Sequence, residues 1–203
     1  MPNAIFFNTY KLKKGKLVPD FLLATEKLVS EYASKQKGFI SFNLLVDGET
    51  WADFGIFETM EDAKNFENPS GTNELAEKFY SFLNFNSCRS RIFSIEKSYE
   101  HQSAVPSAVT FISFKLKKGA SAPDFLIASE KLHGEFMSKQ KGYISWKQLI
   151  DGEMWADLLT WETMDDAQNA IEASGTNAAV HAFGDFIDEK SVKMHFYSVE
   201  KNY

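Results

Sequence analysis

Lys11-Leu12-Lys13-Lys14-Gly15 returns 104 positions later as Lys115-Leu116-Lys117-Lys118-Gly119, the mark of an internal repeat. The same shift lays Ser34 to Gly38 on Ser138 to Gly142, and Asp47-Gly48-Glu49 on Asp151-Gly152-Glu153. It also lays Trp51-Ala52-Asp53 on Trp155-Ala156-Asp157, and Ser70-Gly71-Thr72-Asn73 on Ser174 to Asn177. Without a gap, residues 5–99 and 109–203 are identical at 46 of 95 positions, too many for chance, so both copies must take one fold. The chain reads as a tandem duplication, residues 1–99 and 109–203. The intervening 100–108 is polar and small with one proline, and reads as a linker.

Within a copy, turn chemistry marks each change of period. Ile5 to Leu12 is aromatic and β-branched and predicts a strand. Phe21, Ala24, Leu28 and Tyr32 recur at helical spacing between Pro19 and about Lys35. Phe39 to Val46 and Thr50 to Glu58 flank Asp47-Gly48, a dipeptide that tolerates the positive φ of a tight hairpin. Thr59 with Asp62 predicts a capped helix over Glu61 to Glu67. After a break at Asn68-Pro69-Ser70-Gly71, a second helix runs to about Leu83, and Arg89 to Lys97 predicts a last strand. The order β-α-β-β-α-β, twice, is an α+β fold of two ferredoxin-like repeats, each an antiparallel sheet with two helices on one face. In strand one, Ile5 and Phe7 alternate with Phe6, Tyr10 and Leu12, so both faces are apolar. The face without helices is therefore expected to pack on the other copy's sheet, giving a pseudo-twofold α/β barrel in one chain. A monomer follows, with strand edges through which copies can associate further.

With 203 residues, 44% hydrophobic and 25% charged, the chain has a globular composition, neither disordered nor fibrous. A net charge of -6 without a Lys/Arg stripe argues against nucleic acid as a partner. No apolar run approaches the roughly 18 residues that span a bilayer, and Met1 to Tyr10 lacks a signal-peptide layout. A cytoplasmic protein with no membrane partner is expected. Cys88 stands alone, and His101, His133, His181 and His195 lack metal-ligand spacing, so neither a disulfide nor a metal is expected.

Trp51 and Asp53 share one side of the third strand, as do Trp155 and Asp157. An aspartate buried beside aromatic rings has a raised pKa and can act as a general base; an aspartate near the strand end, or hydrogen-bonded to a neighbouring strand, would show the same spacing. Asn8, Tyr10, Ser41 and Asn43 stand against Ile112, Phe114, Ser145 and Lys147, so the first copy is the more polar and the site is expected to be asymmetric. Alternation explains Ser41 and Asn43 equally well as water-facing edge positions. The expected site has Asp53 and Asn8 as catalytic residues and Tyr10, Ser41, Asn43, Trp51, Trp155 and Asp157 around a small hydrophobic or aromatic molecule, with no cofactor.

Lys-Lys-Gly after strand one, Gly38-Phe39-Ile40-Ser41 and Gly142-Tyr143-Ile144-Ser145 before each hairpin, and Phe57-Glu58-Thr59-Met60-Glu61-Asp62-Ala63 together resemble the dimeric α/β barrel superfamily. Within it the chain is most similar to the antibiotic biosynthesis monooxygenase-like group, whose Trp-Glu-Ser/Thr strand end reappears as Trp161-Glu162-Thr163. The resemblance implies the fused equivalent of a homodimer. It also implies a cofactor-independent monooxygenase-like enzyme or, alternatively, a non-catalytic ligand-binding or stress-related barrel. Haem-degrading members use an Asn on strand one and a Trp and an iron-ligating His on helix two. Here those positions are Asn8, Glu67 and Glu77 in the first copy and Ile112, Ile171 and His181 in the second, so His181 would matter only if haem binds.

Overall fold

Each copy supplies four strands and three α-helices. In the computed structural model, which describes residues 3–67 and 73–203, the first copy has β1 (Ala4–Leu12), α1 (Val18–Lys27), β2 (Phe39–Asp47), β3 (Thr50–Phe57), α2 (Met60–Glu67), α3 (Glu74–Tyr80) and β4 (Leu83–Glu100). The second has β5 (Ala108–Lys115), α4 (Ala122–Glu135), β6 (Tyr143–Asp151), β7 (Met154–Trp161), α5 (Met164–Ser174), α6 (Ala178–Gly184) and β8 (Lys193–Asn202). The expected break at Asn68-Pro69-Ser70-Gly71 lies outside the described residues. Hydrogen bonding closes the eight strands into one antiparallel barrel in the order β1-β3-β2-β8-β5-β7-β6-β4. This is the expected α+β architecture of two βαββαβ repeats.

Local chemistry accounts for the elements. Gly48, at φ +55°, turns the β2–β3 hairpin so that Val46 pairs with Trp51 and Asp47 with Thr50. The Asp62 amide donates to Thr59 Oγ1 at 3.1 Å and caps α2, and the Asn73 side chain accepts from Leu75 and Ala76 to cap α3. Two elements differ from expectation. The helix predicted to run to Lys35 is α-helical only to Lys27, then widens into a π turn over Leu28–Tyr32 and tightens into a 3-10 turn over Ala33–Lys35. The last strand begins at Leu83 rather than Arg89, because past a bulge opposite Tyr10 its first residues still pair, Leu83 with Leu12 and Asn84 with Lys11.

Two compact units divide the chain: Met1–Ile95 with Val199–Tyr203, and Glu96–Ser198. In the first, Phe6, Tyr10, Trp51 and Phe57 of the sheet pack with Phe21, Leu28 and Phe79 of the helical layer. The opposite face of that sheet is also buried: Ile5, Leu45 and Phe93 are closed off, and Phe7 stacks on Phe54 at 6.4 Å. In the second unit, Phe114, Trp146, Trp155 and Trp161 pack with Phe125, Leu132 and Phe183.

Candidate functional site

Register decides which polar side chains meet. β1 and β3 pair Asn8 with Asp53 and Tyr10 with Trp51, so these four lie on the helix side of the first sheet. Asn8 Nδ2 donates to Asp53 Oδ1 at 3.0 Å and to Glu67 Oε1 at 3.3 Å, and Ser90 Oγ donates to Glu67 Oε2 at 3.1 Å. Two carboxyl groups thus share one amide. Burial pushes Asp53, 2% exposed, up to about 7; the Tyr10 hydroxyl and the Asn8 amide hold it back, and the Glu67 charge pushes it further up. Burial likewise raises the Glu67 carboxyl above its ordinary value, against the hydrogen bonds from Asn8 and Ser90. Burial first, then the Asp53 carboxyl beside it, drives the Tyr10 phenol well above its ordinary value. Among the described residues the Tyr10 hydroxyl and Asn8 Oδ1 have no hydrogen-bond partner of normal geometry, so Tyr10 acts on Asp53 through proximity. The space beside this cluster is about 30 Å³, enough for one water, and Phe66, Phe79 and Tyr80 border it.

The other candidates stand apart. β2 pairs Leu44 with Asp53 and Asn43 with Phe54, which turns Ser41 and Asn43 to the sheet face away from the helices and from Asp53; Asn43 is buried there. Trp51 meets the Phe21 ring edge-on at 5.0 Å, and Trp155 meets Phe125 in the same way. Neither tryptophan borders a cavity described here.

The second copy holds the room. A cavity of about 270 Å³ is walled by Phe114, Trp146, Leu159, Trp161 and Phe183, with Asp157 as its one buried acid. Asp157, 4% exposed, accepts a 2.8 Å hydrogen bond from Trp146 Nε1. Burial pushes its pKa up to about 7, against the opposing effects of Trp146 and Gln148. The back of Trp146 is fixed by Tyr99, stacked on it at 5.0 Å and in turn stacked on His133 at 4.4 Å. Trp161 Nε1 donates to Thr110 Oγ1 at 3.1 Å. The origin of the cavity is legible position by position: Phe66 and Tyr80 of the first copy are Ala170 and Gly184 in the second, so two rings are missing from its wall. Asn8 and Glu67 become Ile112 and Ile171, which removes the polar lid over the aspartate.

Among solved structures, a candidate monooxygenase from Fusobacterium nucleatum superposes with a TM-score of 0.73 at 12% identity, over 99% of this chain and 94% of the other. A second candidate monooxygenase, from Lactobacillus acidophilus, gives 0.70 at 8% identity, over 100% and 96%. A ferredoxin-fold protein related to antibiotic biosynthesis monooxygenases, from Listeria monocytogenes, gives 0.56 at 11% identity, over 98% and 95%. The chain shares the ferredoxin-like fold of these proteins. No protein-family model and no curated protein matches it, and at these identities the likeness is one of fold.

The haem arrangement does not fit the residues present. His181 is exposed on α6, its Nε2 lies 3.1 Å from the Gly175 carbonyl oxygen, and it does not border the cavity. Asn8 belongs to the other unit and is engaged with two carboxyl groups. Among the described residues no group of three or more His, Cys, Asp or Glu is placed to hold a metal, and no helix is long and apolar enough to cross a membrane. Sequence reasoning missed Glu67 as a partner of Asn8 and Trp146 as the donor to Asp157. It also missed the two ring losses. The signal for these last was available in the residue pairs that differ between the copies.

Proposed function

We propose that the chain is a cofactor-independent, monooxygenase-like enzyme whose substrate occupies the cavity of the second copy. The observation that carries this reading is an apolar, ring-walled cavity holding one buried carboxyl group whose pKa lies near neutrality. An apolar cavity of roughly 150 Å³ accommodates benzene, so about 270 Å³ suits a two-ring skeleton. Asp157 takes over the part that the sequence assigned to Asp53: as carboxylate it removes a proton from the group placed against it, and Trp146 holds it in position. The electron-rich substrate then reacts with dioxygen, which leaves one atom in the product and the other in water. Asn8 and Asp53, with a single water-sized space beside them, hold the first copy together.

A second reading, a carrier that binds without turnover, uses the same cavity. Oxygen uptake and tryptophan fluorescence, followed with 1-naphthol and anthrone as probes, separate the two. The enzyme reading expects binding plus oxygen uptake that falls about a hundredfold or more in Asp157→Asn. Binding without uptake establishes the carrier, and absence of both sinks the cavity as a site.

A further inference from the structure

The two copies treat the same aspartate differently in one respect that points to the chemistry of the ligand. In the first copy a nitrogen donor of the chain itself, Asn8 Nδ2, sits on Asp53 at 3.0 Å. In the second copy Ile112 stands at the Asn8 position and the donor on Asp157 is instead Trp146 Nε1, at 2.8 Å, so the place that Asn8 fills is open and the space in front of Asp157 is cavity. The wall carries two carboxyl groups, Asp157 in the interior and the exposed Glu189, and among the described residues no Lys, Arg or His. A carboxylate or phosphate ligand would be driven against like charge with nothing to offset it. The remaining wall offers the rings of Phe114, Phe136, Trp146, Trp161 and Phe183, whose faces attract cations as well as apolar surface.

We infer that the ligand of this cavity is a hydrophobic amine, its ring skeleton among the aromatic side chains and its ammonium group on Asp157 in the place that Asn8 fills in the first copy. This rests on the cavity being the binding site and adds the class of molecule; with an ammonium on it, Asp157 is an ion-pair partner and not the general base, which accords with the carrier reading of that cavity. The ammonium supplies the positive charge that a buried carboxylate lacks, and its hydrogen bond is of the stronger, charge-assisted kind. Trp146 already orients the carboxylate, so little rearrangement is needed on binding. Glu189 adds an attraction for cations among the lining residues.

Three probes of one skeleton test this: 2-naphthylmethylamine, 2-naphthylmethanol and 2-naphthoate, titrated calorimetrically into the full chain and into Asp157→Asn, with circular dichroism to verify folding. The amine is expected to bind about tenfold or more tighter than the alcohol, and the acid not at all. In Asp157→Asn the amine should drop to the level of the alcohol, whose own affinity changes little. Ile112→Asn, which installs the first copy's internal donor, should weaken the amine more than the alcohol. Equal binding of amine and alcohol, indifferent to Asp157→Asn, overturns the inference and leaves the cavity standing as a neutral-ligand site. Tightest binding by the acid also overturns it. If none of the three binds to the folded protein, the cavity reading and this inference fall together.

Discussion

Asp53 and Asp157 occupy one position of the repeat, share near-complete burial and a pKa near 7, and differ in what closes over them. Over Asp53 the chain places its own amide, a second carboxyl group and two rings; over Asp157 it leaves about 270 Å³. Few substitutions are responsible, chiefly Phe66 against Ala170 and Tyr80 against Gly184, with Asn8 and Glu67 against the two isoleucines. Duplication thus retained the acid in both halves while the ring positions decided which half is open. Each buried aspartate keeps one side-chain donor, Asn8 Nδ2 on Asp53 and Trp146 Nε1 on Asp157, and the half whose donor comes without a covering Asn and Glu is the half with room.

The largest effect is expected when the second copy is given the first copy's rings. Ala170→Phe combined with Gly184→Tyr should reduce the cavity to about the size of the first and abolish binding of the naphthyl probes, a loss of about a hundredfold or more in calorimetry. Next in size is the pH dependence that both aspartates share. Their folded pKa values, about 7, lie above the unfolded value near 3.8, so the fold favours the protonated form. That contribution is fully present below about pH 4 and is lost as pH rises towards 7, so urea midpoints should fall across this window and level off above it. Asp53→Asn and Asp157→Asn should each flatten part of the slope. Equal slopes for the wild type and both variants would show that neither group is buried as described.

A smaller effect is expected at the sheet. A Cβ added to Gly55 would lie 2.4 Å from the Phe6 ring, whereas the second copy pairs Thr110 with Leu159 at these positions. Gly55→Leu should cost about 1–3 kcal/mol by overpacking, and adding Phe6→Thr should recover part of it, a coupling that a double-mutant cycle reads directly. Smallest is Trp146→Phe, which copies Phe42 and removes the N–H from Asp157, at a cost of about 1 kcal/mol. Because that hydrogen bond favours the charged form, its loss should move the titration of Asp157 to higher pH, as followed by carboxyl NMR.

Much of the architecture was legible because it repeats: the pentapeptides, the Asp-Gly hairpins and the Thr-x-x-Asp caps each occur twice and mean the same thing each time. The two aspartates stood out for the same reason, whereas the spacing left open whether each is buried beside rings, placed near a strand end or hydrogen-bonded to the next strand; Asp53 is buried and bonded to Asn8 of β1. The faces of Ser41 and Asn43 were legible in principle, since the tight turn at Asp47-Gly48 pairs Val46 with Trp51 and so, counting back, sets Asn43 opposite Phe54. The contact between Asn8 and Glu67 was not, because it joins strand to helix across 59 residues, and no local pattern encodes such a distance. The cavity was hidden in the positions where the copies disagree. Identity reveals a shared fold, whereas empty volume follows from differences in side-chain size.

The first unit is completed by residues 199–203, and Tyr203 exchanges both backbone hydrogen bonds with Phe42 of β2, at 2.8 and 3.1 Å. On a ribosome adding about 5–20 residues per second, β2 is therefore made many seconds before the strand end that finally pairs with it. During synthesis its outer edge stays open to chaperones or to a neighbouring nascent chain.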